Sequence, residues 1–296
     1  MRAFDFLIIG AQKSGTTTLF QLLDEHPGIY VPPGKEVPVF TRDDLSEVDL
    51  ATYMDEHFGA MPQGDLIGKV TPHYLVDPRV PARIATFAPN AKLVVILRDP
   101  VDRAFSHYRM SVRRELETRS FDQAVEDMLR PENLAIARAL PAGRSSENLT
   151  YVVWGEYGRL LQPYADQIAK GQMLVLYMSD LEADPEATLR KLVGFLGLDY
   201  APVPSLGQKM HQGGDRERLP VLKILRRVGI ARKLWRLVPH RIRSRMLFRF
   251  GQWNVVASQG VDGAISPATT ARLRAHFAHD GARLTTLSGS TAPWLG

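Results

Sequence analysis

The chain has 296 residues, of which 45% are apolar, enough for the core of one large α/β domain. It has no cysteine, which excludes disulfides and cysteine-ligated metals and fits a reducing, cytoplasmic setting. The net charge is +5, no apolar run approaches the ~20 residues of a membrane span, and no leader pattern precedes the first apolar segment, so a soluble protein is expected.

Residues 5–9 predict a strand, and the apolar run stops at Gly10. Ala11-Gln12-Lys13-Ser14-Gly15 follows as a short loop, and Thr16, Thr17 and Thr18 open a helix over 16–25 that ends near His26-Pro27-Gly28. Strand, glycine loop and helix N-terminus together form an anion site of the phosphate-cradling kind. The spacing of Gly10 and Gly15 is that of a Walker A loop, but the lysine, Lys13, lies inside the loop and Thr16 occupies the place of the Walker lysine. An ordinary strand-to-helix turn is the alternative reading, and it gives Lys13 and the threonines no task.

Pro32-Pro33-Gly34-Lys35-Glu36 reads as a turn-rich loop, residues 65–70 as a short strand, and Val80–Phe87 as a short helix. Glu36 has the chemistry of a general base, and Lys69 that of a cation near a reacting centre. Taken singly, Glu36 reads equally as a solvated loop carboxylate. Lys92–Leu97 is the clearest buried strand, rich in β-branched residues. It stops at Arg98-Asp99-Pro100, where Asp99 suits the cap and Pro100 the first position of the next helix. Ligands of open α/β sheets bind at such strand ends. Arg98 offers a planar fork to a phosphate, and Ser106, two turns on, offers a hydroxyl. Pairing of Arg98 with Asp99 or Asp102 is the competing reading.

Residues 121–129 predict a helix, 131–150 an irregular insertion, 157–170 a long helix, Met173–Tyr177 a strand, and Pro185–Leu196 a helix closed by Gly197. Residues 201–220 read as loop. Between Glu217 and Asp262 there is no acidic residue, and residues 221–250 carry ten lysines and arginines, more than the net charge of the whole chain. This window predicts two amphipathic helices broken near Pro239. It admits three readings: a rim for an acidic acceptor, a peripheral contact with an anionic membrane, or a plain solvated face. No nucleic-acid motif accompanies it. Residues 267–287 predict a final helix. The alternation of strands and helices argues for one α/β domain over residues 1–296, with a P-loop-like parallel central sheet flanked by helices. Nothing in the pattern bears on oligomeric state.

The motifs together resemble the sulfotransferases that use 3′-phosphoadenosine 5′-phosphosulfate (PAPS), in particular the heparan-sulfate-type and bacterial branch. Lys-Ser-Gly-Thr-Thr is similar to the family's 5′-phosphosulfate loop, and Arg-Asp-Pro-Val-Asp-Arg-Ala-Phe-Ser-His-Tyr to its 3′-phosphate element. Lys-Glu-Val-Pro-Val-Phe and Lys-Val-Thr-Pro-His-Tyr look like acceptor-side motifs. The likeness continues through Gly155-Glu156-Tyr157-Gly158-Arg159-Leu160, Phe195-Leu196-Gly197-Leu198 and the tail.

The resemblance implies that Lys13, Ser14, Gly15, Thr16, Thr17 and Thr18 surround the 5′-phosphosulfate, with Arg98 and Ser106 on the 3′-phosphate. It implies Glu36 as the base, Lys13 and Lys69 as catalytic cations, and His73 and Tyr74 at the acceptor. Lys209 and Arg216, in a glycine-containing loop, are implied as further contacts to the nucleotide. The family works without a metal, and its acceptors include carbohydrates, lipids and other small molecules. Vertebrate heparan-sulfate-type relatives often carry histidine two places after the glutamate, where this chain has Pro38; His73 then either supplies an imidazole from the neighbouring loop or is a structural or solvent-facing histidine. Two other functions compete at this level: a P-loop nucleotide-kinase-type phosphotransferase, and a non-catalytic nucleotide-binding module at a membrane.

Overall fold

The computed structural model describes residues 4–32, 38–59, 64–141, 143–206, 216–217, 255–256 and 264–296. Five parallel strands form the central sheet: β1 (Phe6–Gly10), β2 (Ile29–Tyr30), β3 (Leu66–Val70), β4 (Lys92–Leu97) and β5 (Met173–Tyr177), in the order β2-β3-β1-β4-β5. β1 is buried along its whole length, as a strand covered on both faces must be. Side chains alternate between two cores. Leu7, Ile9, Ile67, Leu93 and Val95 face one side; Phe6, Ile8, Val70, Val94 and Ile96 face the other.

The helices described here are α1 (Thr16–Asp24), α2 (Glu47–Phe58), α3 (Val80–Phe87), α4 (Pro100–Arg113), α5 (Phe121–Met128), α6 (Pro131–Ala139), α7 (Tyr157–Leu161), α8 (Ala165–Ala169), α9 (Met178–Ala183), α10 (Pro185–Leu196) and α11 (Pro267–Ser288). Leu19, Leu22 and Leu23 of α1 pack with Leu189, Leu192 and Val193 of α10 on the second face. α4, α5 and α11 share a third cluster that includes Tyr108, Phe121, Leu273 and Phe277. A short antiparallel pair, β6 (Arg216–Glu217) with β7 (Val255–Val256), completes the strands. Among the described residues no helix is long and apolar enough to cross a membrane.

Several expectations need correction. Residues 131–150 are not irregular: they hold α6 and a 3₁₀ turn at Arg144–Leu149. Pro131 opens α6, but only Ala137 of that helix is buried, so the apolar stripe that periodicity detects is missing. The continuous helix expected over 157–170 is broken into α7, a 3₁₀ turn at Gln162–Tyr164 and α8. Pro163 has no N–H to continue the ladder. α2 was not anticipated, although Ser46 and Asp49 form a reciprocal capping box that marks its start. The basic window at 221–250 lies outside the described residues.

The tail helix α11 is fastened by a buried carboxylate. Glu156 accepts from Arg159 Nε at 2.5 Å, Arg138 Nη2 at 2.7 Å and His276 Nε2 at 2.9 Å. Burial pushes its pKa up. The hydrogen bonds from His276 and Arg138 and the charge of Arg159 outweigh burial and hold it at about 2, against an ordinary 4.5.

A Cβ on Gly68 would lie 1.9 Å from Phe6 Cζ, and Phe6 is itself fully buried. Gly68→Ala is therefore expected to destabilise the protein by about 1–3 kcal/mol through overpacking; an unchanged melting temperature would refute this account of the sheet. A carboxylate whose folded pKa is depressed stabilises fully above its ordinary value and loses that contribution as pH falls toward the folded value. The wild type is thus expected to lose on the order of 3 kcal/mol from Glu156 between pH 4.5 and about 2. Stability curves of wild type and Glu156→Gln should converge over that window, and parallel curves would remove Glu156 as the source.

Candidate active site

The loop between β1 and α1 is shaped for an anion. Lys13 (φ 70°) and Gly15 (φ 94°) both adopt the left-handed conformation that turns successive N–H groups to one side. The pairing of β1 with β4 shifts register between Ile8 and Gly10, so the chain is re-aimed just before the loop. Ala11 N–H donates to the Ile96 carbonyl at 2.8 Å and Ser14 N–H to the Ala11 carbonyl at 3.3 Å, so backbone bonds close the turn. Gly15 is the N-cap of α1 and provides no side-chain cap, and the first turn contains no acidic residue. A helix start with neither a side-chain cap nor an acidic residue is the arrangement that suits an anion. Ser14 is fully buried and Thr16 nearly so, while Lys13, Thr17 and Thr18 are half-buried at the loop surface.

Arg98 leaves the carboxyl end of β4, the strand beside β1. Its guanidinium lies 3.8 Å from Asp102 Oδ2, at the outer limit of an ion pair, and its side chain is 30% exposed. Asp99 is engaged elsewhere. Its Oδ1 caps α4 by accepting from Val101 N at 2.9 Å and Asp102 N at 3.3 Å, and its Oδ2 accepts from Arg274 at 2.5 Å. Among the described residues Arg98 is thus only loosely paired, a geometry open to an anion. Ser106, half-buried on α4, follows Asp102 by four residues and shares its face of the helix.

Behind this edge lies a group of buried cationic and aromatic residues that sequence reasoning missed. Arg103 is fully buried, and among the described residues its guanidinium bonds only the Tyr151 carbonyl and His107 Nδ1, with no carboxylate. Burial and the neighbouring charge of Arg98 push it down to about 10. His107 is held well below its ordinary value by burial and then by Arg103, Lys13 and His73. Its ring stacks on Trp154 at 4.9 Å, and His73 meets the other side of the cluster edge-on, 5.7 Å from Trp154. Arg103 and Arg98 thus place positive charge at this edge, which favours an anionic ligand. The sequence signal was the i, i+4 spacing of Arg103 and His107 on the apolar face of α4.

The acceptor-side expectations divide. Gly10 has no room for a side chain, since a Cβ would approach Leu75 Cβ to 2.7 Å. The 3₁₀ turn Pro72–Leu75 consequently packs against the strand end, and His73 Nε2 reaches Gln12 Nε2 at 3.1 Å. His73 is thus joined to the loop through Gln12, which was not among the expected residues. Tyr74, expected at the acceptor, points into the core instead. It is fully buried, and its hydroxyl accepts from Val39 N at 2.9 Å and Phe40 N at 3.4 Å, so it anchors the chain just after the Glu36 loop. Lys69 on β3 is 1% exposed and shares a sheet face with Ile67; its charge helps burial to lower the pKa of His57. Glu36 and Lys209 lie outside the described residues, and for Arg216 only its backbone place in β6 is described. Among the described residues no three histidine or acidic side chains stand close enough to hold a metal.

A sequence model of the family described as "Sulfotransferase domain" matches residues 4–211. The mouse heparan sulfate glucosamine 3-O-sulfotransferase 3A1 is 33% identical over 195 residues, 65% of this chain and 45% of that protein. A human bifunctional heparan sulfate N-deacetylase/N-sulfotransferase 3 is 29% identical over 201 residues, 65% of this chain and 22% of that protein. The chain thus spans less than half the length of either relative. A crystal structure of a sulfotransferase from Alicyclobacillus acidocaldarius superposes with a TM-score of 0.69 at 25% identity, covering 100% of this chain and 99% of that one. With the anion loop, the strand-end arginine and a family match over most of its length, the chain belongs to the sulfotransferase domain family.

Proposed function

We propose that the protein transfers a sulfuryl group from PAPS to a hydroxyl or amine of an acceptor, and that the acceptor is a carbohydrate. The observation that carries the reading is the juxtaposition of two anion-binding elements at the ends of paired strands: the uncapped loop at Lys13–Gly15 after β1, and Arg98 after β4. A nucleotide with phosphate at both its 5′ and 3′ positions needs two such elements. ATP has no 3′-phosphate to use Arg98, and Thr16 stands where its β- and γ-phosphates would meet a lysine. The carbohydrate is favoured by the names of the two heparan sulfate relatives.

In this reading the loop N–H groups and Lys13 hold the phosphosulfate, and Arg98 and Ser106 hold the 3′-phosphate. The acceptor oxygen attacks sulfur in line while the bond from sulfur to the 5′-phosphate oxygen breaks. Its proton passes to the Glu36 carboxylate, and adenosine 3′,5′-bisphosphate leaves with the negative charge, which Lys13 neutralises. Lys69 adds fixed positive charge, and His73, oriented by Gln12, faces the acceptor side. Positioning and preorganised charge supply most of the rate.

Calorimetry of the full chain with adenosine 3′,5′-bisphosphate and with ATP, each with and without magnesium, tests the donor. Magnesium-independent preference for the bisphosphate is expected; preference for Mg-ATP would overturn the reading. Arg98→Ala should weaken the bisphosphate by about 10-fold to 100-fold, the range of a charged hydrogen bond. Glu36→Gln should leave that affinity near the wild-type value while turnover onto a glucosamine oligosaccharide falls by about 10²–10⁴. Normal turnover in that variant would remove Glu36 as the base.

A further inference from the structure

Helix α11 lies beyond the residues matched by the family, yet it is bonded to the nucleotide edge at successive points. Asp280 accepts from the backbone N–H groups of Gly158 and Arg159, both at 2.8 Å. These are orphan donors in the first turn of α7, where a carboxylate also meets the positive end of the helix. Gly158 must be glycine here, because a Cβ would lie 2.4 Å from the Asp280 carbonyl oxygen. The two helices therefore touch backbone to backbone. Nearby, Phe277 and Pro100 close on either side of Gly155, and Arg274 binds Asp99.

The residue that α7 delivers is Tyr157. Its ring is buried and packs on Trp294 at 5.9 Å. Its hydroxyl donates to the Arg98 carbonyl at 3.0 Å, and the Ser14 hydroxyl lies against the same phenol. One side chain thus stands between the loop after β1 and the arginine after β4. The loop backbone is held by the Ala11 N–H bond to the Ile96 carbonyl of β4 and the Ser14 N–H bond to the Ala11 carbonyl, while the phenol meets the loop at the Ser14 side chain. The backbone of Arg98 instead receives a donor that comes from α7, which is itself capped by α11.

We propose that Tyr157, held by Asp280 of the tail helix, is a positioning residue that fixes the Arg98 arm relative to the loop and so sets the preference for a 3′-phosphorylated nucleotide. The proposal rests on the donor reading above. A phenol that only fills space would support both ends of the nucleotide alike. A phenol that places Arg98 affects only the end bearing the 3′-phosphate.

The test compares adenosine 3′,5′-bisphosphate with adenosine 5′-monophosphate, by calorimetry, on the full-chain wild type, Tyr157→Phe and Asp280→Asn. Tyr157→Phe is expected to lower the bisphosphate-to-monophosphate affinity ratio by about tenfold, leaving the monophosphate within about twofold of wild type. Asp280→Asn keeps the shape of the cap and should move the ratio in the same direction by a smaller factor. Equal weakening of both nucleotides, or an unchanged ratio in both variants, overturns the positioning role while leaving the donor reading intact. A wild type that shows no preference for the bisphosphate overturns the donor reading and this proposal with it.

Discussion

Because β1 and β4 are hydrogen-bonded in parallel, the chain segments that leave their carboxyl ends emerge one strand spacing apart, about 4.8 Å. One segment is the left-handed loop at Lys13–Gly15 and the other begins with Arg98. Neither has a strong claim alone. A glycine loop before a helix is common, and an arginine at a strand end usually finds a carboxylate. The strand pairing removes the freedom to treat them separately, since any anion that reaches one lies beside the other. The register shift after Ile8 sharpens this, because it turns the chain out of the sheet at the point where the loop must begin.

The same edge carries an electrostatic cost that the fold tolerates. Arg103 is buried without a carboxylate partner among the described residues, and His107 beside it is kept neutral by burial and by the surrounding cations. The acids nearest in sequence are withdrawn: Asp99 caps α4 and binds Arg274, and Asp102 is mostly exposed at 3.8 Å from Arg98. An uncompensated cluster of this kind lowers the stability of the free protein. Its positive potential also draws anions toward this edge. Preorganised positive charge near a leaving group is what transfer chemistry at a phosphosulfate would require.

The parts of this arrangement that were legible in the sequence are those written in local pattern. The apolar runs of β1, β4 and β5, the Asp99-Pro100 start of α4, and Gly197 at the end of α10 each carry their own signal. The loop and Arg98 were legible because each sits where an apolar run stops. What was not legible depended on the tertiary neighbour. Tyr74 follows His73 directly, but the turn Pro72–Leu75 sends one ring to Gln12 and the other into the core under Phe40. No periodicity distinguishes the two. α6 has almost no buried face, so it left no stripe to detect. Pro163, by contrast, was a visible helix breaker, and the single long helix over 157–170 underweighted it.

The tail shows why a domain boundary drawn from sequence similarity differs from one drawn from packing. The matched residues end at 211, whereas Leu273 and Phe277 complete the cluster under α4, and Leu284 enters the core beside β4 and β5. Glu156 and Asp280 then lock α7 and α11 into one unit through buried polar bonds rather than through apolar area alone. Such bonds are directional, so they fix the rotation of α7 about its axis as well as its distance from α11. That rotation decides where the Tyr157 hydroxyl lies. A purely apolar contact would hold the helix in place but leave its facing free to drift. The facing of α7 is thus set by a group 122 residues further along the chain from Gly158, at Asp280, and the reason is geometric.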